Sequence, residues 1–154
     1  MRRSIYLAGS MAGCTYDEVV GWRKEAAKYL ADNDIDTLIP EIYSVQPGET
    51  YTPHGEGGHF STQRGIITND RRSIAVCDAV IMNLSNATKV SIGSCVEFGW
   101  ADAYRKPVIT IMPESGYNPH DHAFIWELSN YTAYTLDDAL AVAIQLLTGK
   151  PPSW

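Results

Sequence analysis

The sequence predicts a single doubly wound α/β domain, in which helices flank a parallel sheet of about four or five strands. The first observation is that short apolar runs of strand length alternate with longer segments whose apolar residues recur at helical spacing. The second is the chain length of 154 residues, which suits one hydrophobic core. Strands joined through helices make right-handed crossovers, which cover both faces of a parallel sheet. We therefore expect one domain over residues 1–154.

The first elements are a strand, a helix and a second strand. Ser4–Gly9 is an apolar run that ends in Gly-Ser, which predicts a buried strand and a tight turn. From about Asp17 to Asp32 the apolar residues follow helical spacing, and two acidic residues suit the positive end of a helix. Asp36–Pro40 predicts the second strand, which the proline ends. Residues 44–62, rich in Gly and Pro, predict a long loop of the kind that often forms a lid or a binding site.

The rest of the chain continues the alternation. The predicted elements are a helix over about Arg64–Val76, a strand over Ala79–Leu84, a loop over Ser85–Lys89, a helix from Ser91 or Ile92 to Tyr104, and a strand over Pro107–Met112. The last part contains an irregular portion over Glu114–Asp121, a short segment over Ala123–Leu128, a short fifth strand over Tyr131–Tyr134 and a helix over Leu136–Leu147.

Charge and hydropathy argue against several classes of partner. The net charge is -6, from 18 acidic and 12 basic residues, and the basic residues are scattered, so we expect no nucleic-acid partner. No stretch approaches the roughly 20 apolar residues that span a bilayer. The apolar run after Arg2 and Arg3 is too short for a signal peptide. The sequence therefore indicates a soluble, cytoplasmic protein with no membrane partner.

The sequence gives no sign of a metal or an organic cofactor. The three cysteines, Cys14, Cys77 and Cys95, have no CxxC spacing, which argues against a disulfide framework or a zinc site and favours a reducing compartment. His120 and His122 are close in sequence but have no partner cluster at the spacing of a metal site. The segment around Gly9 lacks the GxGxxG pattern of dinucleotide-binding turns.

Three segments are expected to meet at the carboxyl edge of the sheet, where ligands bind in this architecture. They are residues 9–13, 85–94 and 114–122. Gly9 and Gly13 allow close approach of the backbone to a ligand, and Ser91 and Ser94 place hydroxyls at a helix N-terminus, which suits a phosphate or a sugar oxygen. Each feature also has an ordinary structural explanation, as a turn or a helix cap.

Glu97 is the most informative residue of the sequence. It lies about one and a half turns into its predicted helix between Val96 and Phe98, an unusual setting for a solvated glutamate, although a surface glutamate is the alternative. Asp70, near the start of the second predicted helix, offers another carboxylate, for which a helix cap or a salt-bridge partner is the alternative interpretation. Two carboxylates in one crevice suit glycosidic chemistry, one as nucleophile and the other handling a proton. Trp100 and the other aromatic residues could stack on a base but mainly indicate packing.

Three motifs stand out together: Ile5–Ser10, the pair Asn69-Asp70, and Ser91–Ala101, which reads SIGSCVEFGWA. In their order and spacing they resemble the nucleoside 2-deoxyribosyltransferase superfamily. The resemblance covers nearly the whole chain. It implies a Rossmann-like fold, no metal or organic cofactor, and a homo-oligomer whose active sites borrow residues from a neighbouring subunit. It also implies a nucleoside or nucleotide substrate and a glutamate nucleophile whose glycosyl-enzyme intermediate is captured by another nucleobase or by water.

The resemblance assigns roles residue by residue. Glu97 takes the position of the nucleophile, Asp70 that of the aspartate that contacts the base and assists proton transfer, and Tyr6 that of the tyrosine that orients the nucleophile. The expected substrate-binding residues are Gly9, Ser10, Ser91, Gly93 and Ser94. Either Asn118 or His122 is the candidate for the asparagine that a neighbouring subunit supplies.

The chain departs from the transferase pattern at Ser91. Transferases of free nucleosides usually carry an aspartate six residues before the nucleophile, which binds the 5′-hydroxyl. A serine there is similar instead to the deoxynucleoside 5′-monophosphate N-glycosidases, in which serines accept a phosphate. Those glycosidases also carry an arginine in the first loop, which this chain lacks, and the candidates to replace it are Arg64, Arg71 and Arg72.

Three functions follow as hypotheses. The first is a nucleoside 2-deoxyribosyltransferase that cleaves the N-glycosidic bond through a covalent glycosyl-Glu97 intermediate and transfers deoxyribose to another nucleobase. The second is a 2′-deoxynucleoside 5′-monophosphate N-glycosidase, a hydrolase with the same nucleophile. The third is an inactive nucleotide-binding module.

Overall fold

The computed structural model describes residues 2–40, 46–51 and 62–151. Its centre is a sheet of five parallel strands in the spatial order β2-β1-β3-β4-β5. The strands are β1 (Arg3–Gly9), β2 (Ile35–Leu38), β3 (Ala79–Asn83), β4 (Val108–Ile111) and β5 (Tyr131–Ala133). The predicted doubly wound parallel sheet is therefore confirmed, with five strands.

Helices cover both faces of the sheet. They are α1 (Trp22–Ala31), α2 (Gln63–Val76), α3 (Ile92–Ala103), α4 (Ala123–Leu128) and α5 (Leu136–Thr148). These bounds agree with the sequence prediction to within a few residues, except that the first five residues of the first predicted helix, Asp17–Gly21, form a π-helical turn that runs directly into α1. Three helices begin at a Ser or Thr whose hydroxyl accepts a backbone N–H, namely Thr62, Ser91 and Thr135.

The alternation of side chains along β1 divides the core into two layers. Ile5 and Leu7 point to the face covered by α1 and α5. Tyr6 and Ala8 point to the opposite face, where they pack with residues of α2, α3 and α4, such as Phe98. Because successive strand residues face opposite sides, Tyr6 belongs to the same layer as α3.

The spatial order of the strands places a topological switch point between β1 and β3. The chain continues from β1 to β2 on one side of this point and from β3 to β4 on the other side. Gly9 pairs with Asn83 at the carboxyl ends of these two strands. The approach is so close that a Cβ on Gly9 would lie 2.4 Å from the carbonyl oxygen of Asn83. The backbone N–H of Ser10 donates to that same oxygen at 3.2 Å. A glycine is thus required where the chain leaves the sheet.

The segment predicted as a long loop is described only in part. Thr50 forms an antiparallel bridge with Thr15, and Tyr51 is buried against Cys14 and Val19. Residues 44–45 and 52–61 of the predicted loop, which include His54 and His59, lie outside the described residues. In the part of the chain that the structure covers, no helix has the length and apolar character needed to cross a membrane.

Candidate active site

A cavity of about 470 Å³ opens at the switch point, above the carboxyl ends of β1 and β3. Its volume falls in the range of small-molecule sites, roughly 300–1,000 Å³. Its polar lining residues come from α2 and α3: Asp70, Ser91, Ser94 and Glu97. Its walls are mainly apolar and comprise Met11, Ala12, Pro40, Tyr51, Ile66, Ile67, Val90, Ile92, Val96 and Trp100, with Gly9 and Gly93 completing the lining. Apolar walls around a few polar groups suit a nucleobase joined to a sugar.

Tyr6 and Glu97 form the centre of the site. The Tyr6 hydroxyl donates a hydrogen bond of 2.8 Å to Oε1 of Glu97, and both side chains are buried. Burial raises the pKa of Tyr6 well above its usual value, and the charges of Glu97 and Asp70 raise it further. Tyr6 therefore stays protonated and keeps donating, which fixes the orientation of the Glu97 carboxylate.

Glu97 carries a strongly perturbed carboxyl group. Only 7% of the residue is exposed. The pKa of Glu97 is raised to about 8. Burial is the largest cause and the charge of Asp70 adds to it, whereas the hydrogen bond from Tyr6 and the charge of Arg23 partly offset the rise. A buried acid with a perturbed pKa and a second carboxylate beside it is a common feature of catalytic sites.

The N-terminus of α3 forms one rim of the cavity. Ser91 caps the helix, because its hydroxyl accepts from the Ser94 backbone N–H at 3.3 Å and from the Ser94 hydroxyl at 3.0 Å. The Ser91 N–H donates at 2.8 Å to Nε2 of His120, which is almost fully buried. Burial lowers the pKa of His120. This neutral acceptor, which the sequence analysis considered only as a metal ligand, fixes the position of the rim.

Asn118 and His122 do not line the cavity. Asn118 is buried, donates to the Leu84 carbonyl at 2.9 Å and accepts from the His120 N–H at 2.9 Å. The exposed His122 caps α4, since its Nδ1 accepts from the Phe124 N–H. Of the three segments expected to meet here, residues 114–122 thus reach the site through His120. Ser10, which was expected to bind substrate, is buried and does not line the cavity, and among the described residues its hydroxyl has no hydrogen-bond partner.

The cations near the site differ from those expected. Arg64, Arg71 and Arg72 are exposed on α2 and do not line the described cavity. Lys89 instead lies over the loop after β1, where its Nζ is 3.9 Å from the position that a Cβ on Gly13 would take. Lys89 therefore places a cation beside the glycine loop.

Arg23, like Lys89, is a cation near the site that was not expected from the sequence. It is the largest fully buried side chain, at 2% exposure, and it donates to the carbonyls of Leu7 at 3.0 Å, of Val19, and of Gly9 at 3.5 Å. Its guanidinium also lies 4.5 Å from the centre of the Trp22 ring. A signal was present in the sequence, because Val19, Arg23 and Ala26 share the apolar stripe of the first helix.

The arrangement provides the groups that glycosidic chemistry needs. Glu97 offers a buried carboxylate oriented by Tyr6, Asp70 lies beside it, and the walls can enclose a base. Among the residues that the structure describes, no group of three or more His, Cys, Asp or Glu could hold a metal ion.

A model of the nucleoside 2-deoxyribosyltransferase family matches residues 5–134. Because the match covers most of the chain and includes Tyr6, Asp70 and Glu97, the chain belongs to this family. The comparison with curated protein sequences found no match.

Several solved structures share the fold at low sequence identity. A 2-desoxiribosyltransferase from Leishmania mexicana matches with a TM-score of 0.55 and 21% identity, over 73% of this chain and 66% of that chain. A CMP N-glycosidase from Clostridium botulinum has a TM-score of 0.61 and 18% identity, over 94% and 100%. A molybdenum cofactor carrier protein from Chlamydomonas reinhardtii has a TM-score of 0.60 and 14% identity, over 97% and 100%. The fold thus occurs in enzymes and in a carrier protein, so the function has to be argued from the site.

Proposed function

We propose, from this family membership, that the protein cleaves the N-glycosidic bond of 2′-deoxynucleosides through a glycosyl-Glu97 intermediate and transfers the deoxyribose to another nucleobase. The observation that supports this most directly is the hydrogen bond of 2.8 Å from Tyr6 to Glu97, at the base of an apolar cavity that Asp70 also lines. The proposal gives a chemical role to two buried carboxyl groups, those of Asp70 and Glu97.

In the first half-reaction the ionised Glu97 attacks the anomeric carbon. One bond forms between a Glu97 carboxylate oxygen and the anomeric carbon, while the bond from that carbon to the base nitrogen breaks and its electron pair goes to the base. Asp70 assists transfer of a proton to the leaving base. Tyr6 holds Oε1, which leaves Oε2 as the attacking oxygen.

In the second half-reaction an incoming base reverses these steps. Its nitrogen attacks the anomeric carbon, the bond to Glu97 breaks, and the carboxylate is regenerated while Asp70 receives the proton. The apolar walls, including Ile67, Val96 and Trp100, would exclude water and favour the base as acceptor. The sequence predicts mainly a packing role for Trp100, whereas its side chain lies on the cavity wall.

Product analysis tests the proposal. We expect that incubation with a 2′-deoxynucleoside and a different free base yields a new deoxynucleoside, detected by chromatography. An isotope-labelled acceptor base should appear in that product, because the deoxyribose leaves Glu97 for the base. Release of free deoxyribose with no exchange product would contradict transfer, and absence of any turnover would favour a binding module.

A second candidate is hydrolysis of a 2′-deoxynucleoside 5′-monophosphate. It is favoured by Ser91 and Ser94, whose hydroxyls lie at the N-terminus of α3 on the cavity lining, and by Lys89, which lies near Gly13 in the loop after β1. A helix N-terminus with hydroxyls and a cation suits a phosphate. The fold neighbour from Clostridium botulinum, described as a CMP N-glycosidase, makes this substrate class reasonable.

Replacing Ser91 with aspartate should separate the two candidates. Aspartate is also a good N-cap, so α3 should form as before, but its charge opposes a phosphate. If the monophosphate is the substrate, we expect kcat/KM for it to fall at least about tenfold in S91D, while that for the free nucleoside changes little. The S91T variant, which keeps a hydroxyl cap, is the control. An equal loss for both substrates would contradict a phosphate at this rim.

The proposal includes the homo-oligomer that the family resemblance implies. The exposed apolar side chains of Val90, Ile92 and Val96 lie at the mouth of the cavity, where a second subunit could cover them. Such a subunit would also be the source of further groups at the site, in addition to Glu97 and Asp70.

A further inference from the structure

Arg23 is a buried cation with an unusual set of partners. Its described hydrogen bonds all go to backbone carbonyls, those of Leu7, Val19 and Gly9, and none of the described ion pairs includes it. A buried charge is costly unless other groups compensate it. Carbonyl dipoles supply part of this compensation, and a net negative charge in the neighbourhood has to supply the rest.

The position of Arg23 connects it to the catalytic carboxylates through β1. Its guanidinium binds the carbonyls of Leu7 and Gly9, while the side chain of Tyr6, on the same strand, projects to the other face and binds Glu97. Gly9 also lines the cavity. Arg23 therefore fixes the carboxyl end of β1 through the Gly9 carbonyl, and its positive charge lies close to the site.

We propose that Arg23 is a positioning residue that fixes the end of β1 and supplies the buried positive charge that allows Glu97 to ionise next to Asp70. This rests on the proposed role of Glu97 as nucleophile. Two neighbouring carboxylates in a buried site repel each other, so that a nearby fixed cation stabilises the doubly ionised state. No direct contact with the substrate is required for this role.

The surrounding charges agree with this assignment. The pKa of Arg23 is lowered to about 10, because burial lowers it more than electrostatic interactions raise it; the interaction with Glu97 is the largest of these, followed by those with Tyr6, Asp70 and Cys14. Conversely, Arg23 is the cation that lowers the pKa of Glu97, which burial and Asp70 raise to about 8. The titratable groups that face this pair are therefore Tyr6 on β1, Asp70 on α2 and Cys14 in the loop after β1.

The sign of the pH effect follows from these directions. Glu97 has to be ionised to attack, so the kcat/KM of the unaltered protein should rise with pH through about 8. Removal of the Arg23 charge raises the pKa of Glu97 further. The acid limb of the pH profile, over which kcat/KM rises, then moves to higher pH. The raised pKa also means that the folded state binds an extra proton between the unfolded and the folded pKa, so stability falls as pH rises through that window.

The R23Q variant tests the charge, since glutamine can still donate to a carbonyl. We expect the acid limb of kcat/KM to move up by about one pH unit, with activity reduced about tenfold at pH 7 and recovered above pH 9. Recovery at high pH is the informative result, because a disrupted strand end would lower activity at every pH. The exposed neighbour Lys24 provides the matched control K24Q, whose profile should not move. A folded R23Q protein with an unshifted limb would overturn the proposal.

A reciprocal measurement works even if R23Q does not fold. Coupling between two charges is mutual, so loss of the Glu97 charge must lower the pKa of Arg23. We expect the Arg23 Cζ resonance, followed by NMR without substrate, to titrate at lower pH in E97Q than in the unaltered protein, where the pKa of Arg23 is about 10. Identical titrations would overturn the coupling. Since no turnover is measured, this result is separate from a failure of the proposed reaction.

Discussion

The E97Q variant should lose at least about a thousandfold in turnover with either substrate class, because an amide cannot form the glycosyl-enzyme bond. The exchange of carboxylate for amide keeps the shape of a side chain that is 7% exposed and can still accept the Tyr6 hydrogen bond. The measurement is steady-state kinetics together with mass spectrometry of rapidly quenched protein. The intact enzyme should carry a glycosyl adduct on the peptide containing Glu97, and E97Q should carry none.

An effect on stability can be separated from this loss. Asp102 lies on the same helix as Glu97 but is exposed, so D102N is a matched control that should retain full activity. E97Q should unfold at a temperature similar to or higher than that of the unaltered protein, because it removes a carboxyl group whose pKa burial raises. Retention of more than a tenth of the turnover by E97Q would exclude Glu97 as the nucleophile.

The G9A variant should produce the largest loss of stability. The new Cβ would lie 2.4 Å from the Asn83 carbonyl oxygen, a backbone atom that cannot move without separating β1 from β3. Overpacking of this kind costs about 3 kcal/mol, which for a domain of this size lowers the melting temperature by roughly 6–12 °C. Thermal unfolding followed by circular dichroism measures the shift.

Gly99 provides the matched control for that experiment. It lies within α3, is exposed, and has open space around the position of a Cβ. G99A should therefore leave the melting temperature unchanged or raise it slightly, since alanine favours a helix by about 1 kcal/mol over glycine. Equal effects of G9A and G99A would show that the contact with Asn83 is not the cause.

The sequence was sufficient to predict the sheet, for physical reasons. Apolar runs of strand length separated by helical stripes leave few ways to bury both faces of a sheet. The parallel order then directs the segments after β1 and β3 to one edge. The contact of Tyr6 with Glu97 agrees with the roles that the family resemblance assigned to these two residues. The catalytic roles themselves remain predictions.

Other parts of the site could not be predicted because they depend on contacts distant in sequence. Arg23 was passed over because arginine is rarely buried, although its place in the apolar stripe was a signal. His120 lies in an irregular segment, and only the tertiary fold brings its ring to the Ser91 N–H. The π-helical turn at Asp17–Gly21 leaves no separate mark in the sequence, since its apolar spacing is that of a helix over so short a stretch.

The hydrogen bond between Tyr6 and Glu97 joins residues 91 positions apart in the chain, and Asp70 lies on a third element between them. During synthesis, the strand that carries Tyr6 leaves the ribosome long before the helix that carries Glu97. A chain that has not yet grown as far as α3 lacks Glu97 and cannot contain this hydrogen bond. If Glu97 is the nucleophile, as proposed, we expect reactivity to begin only after β1 and α3 have packed together.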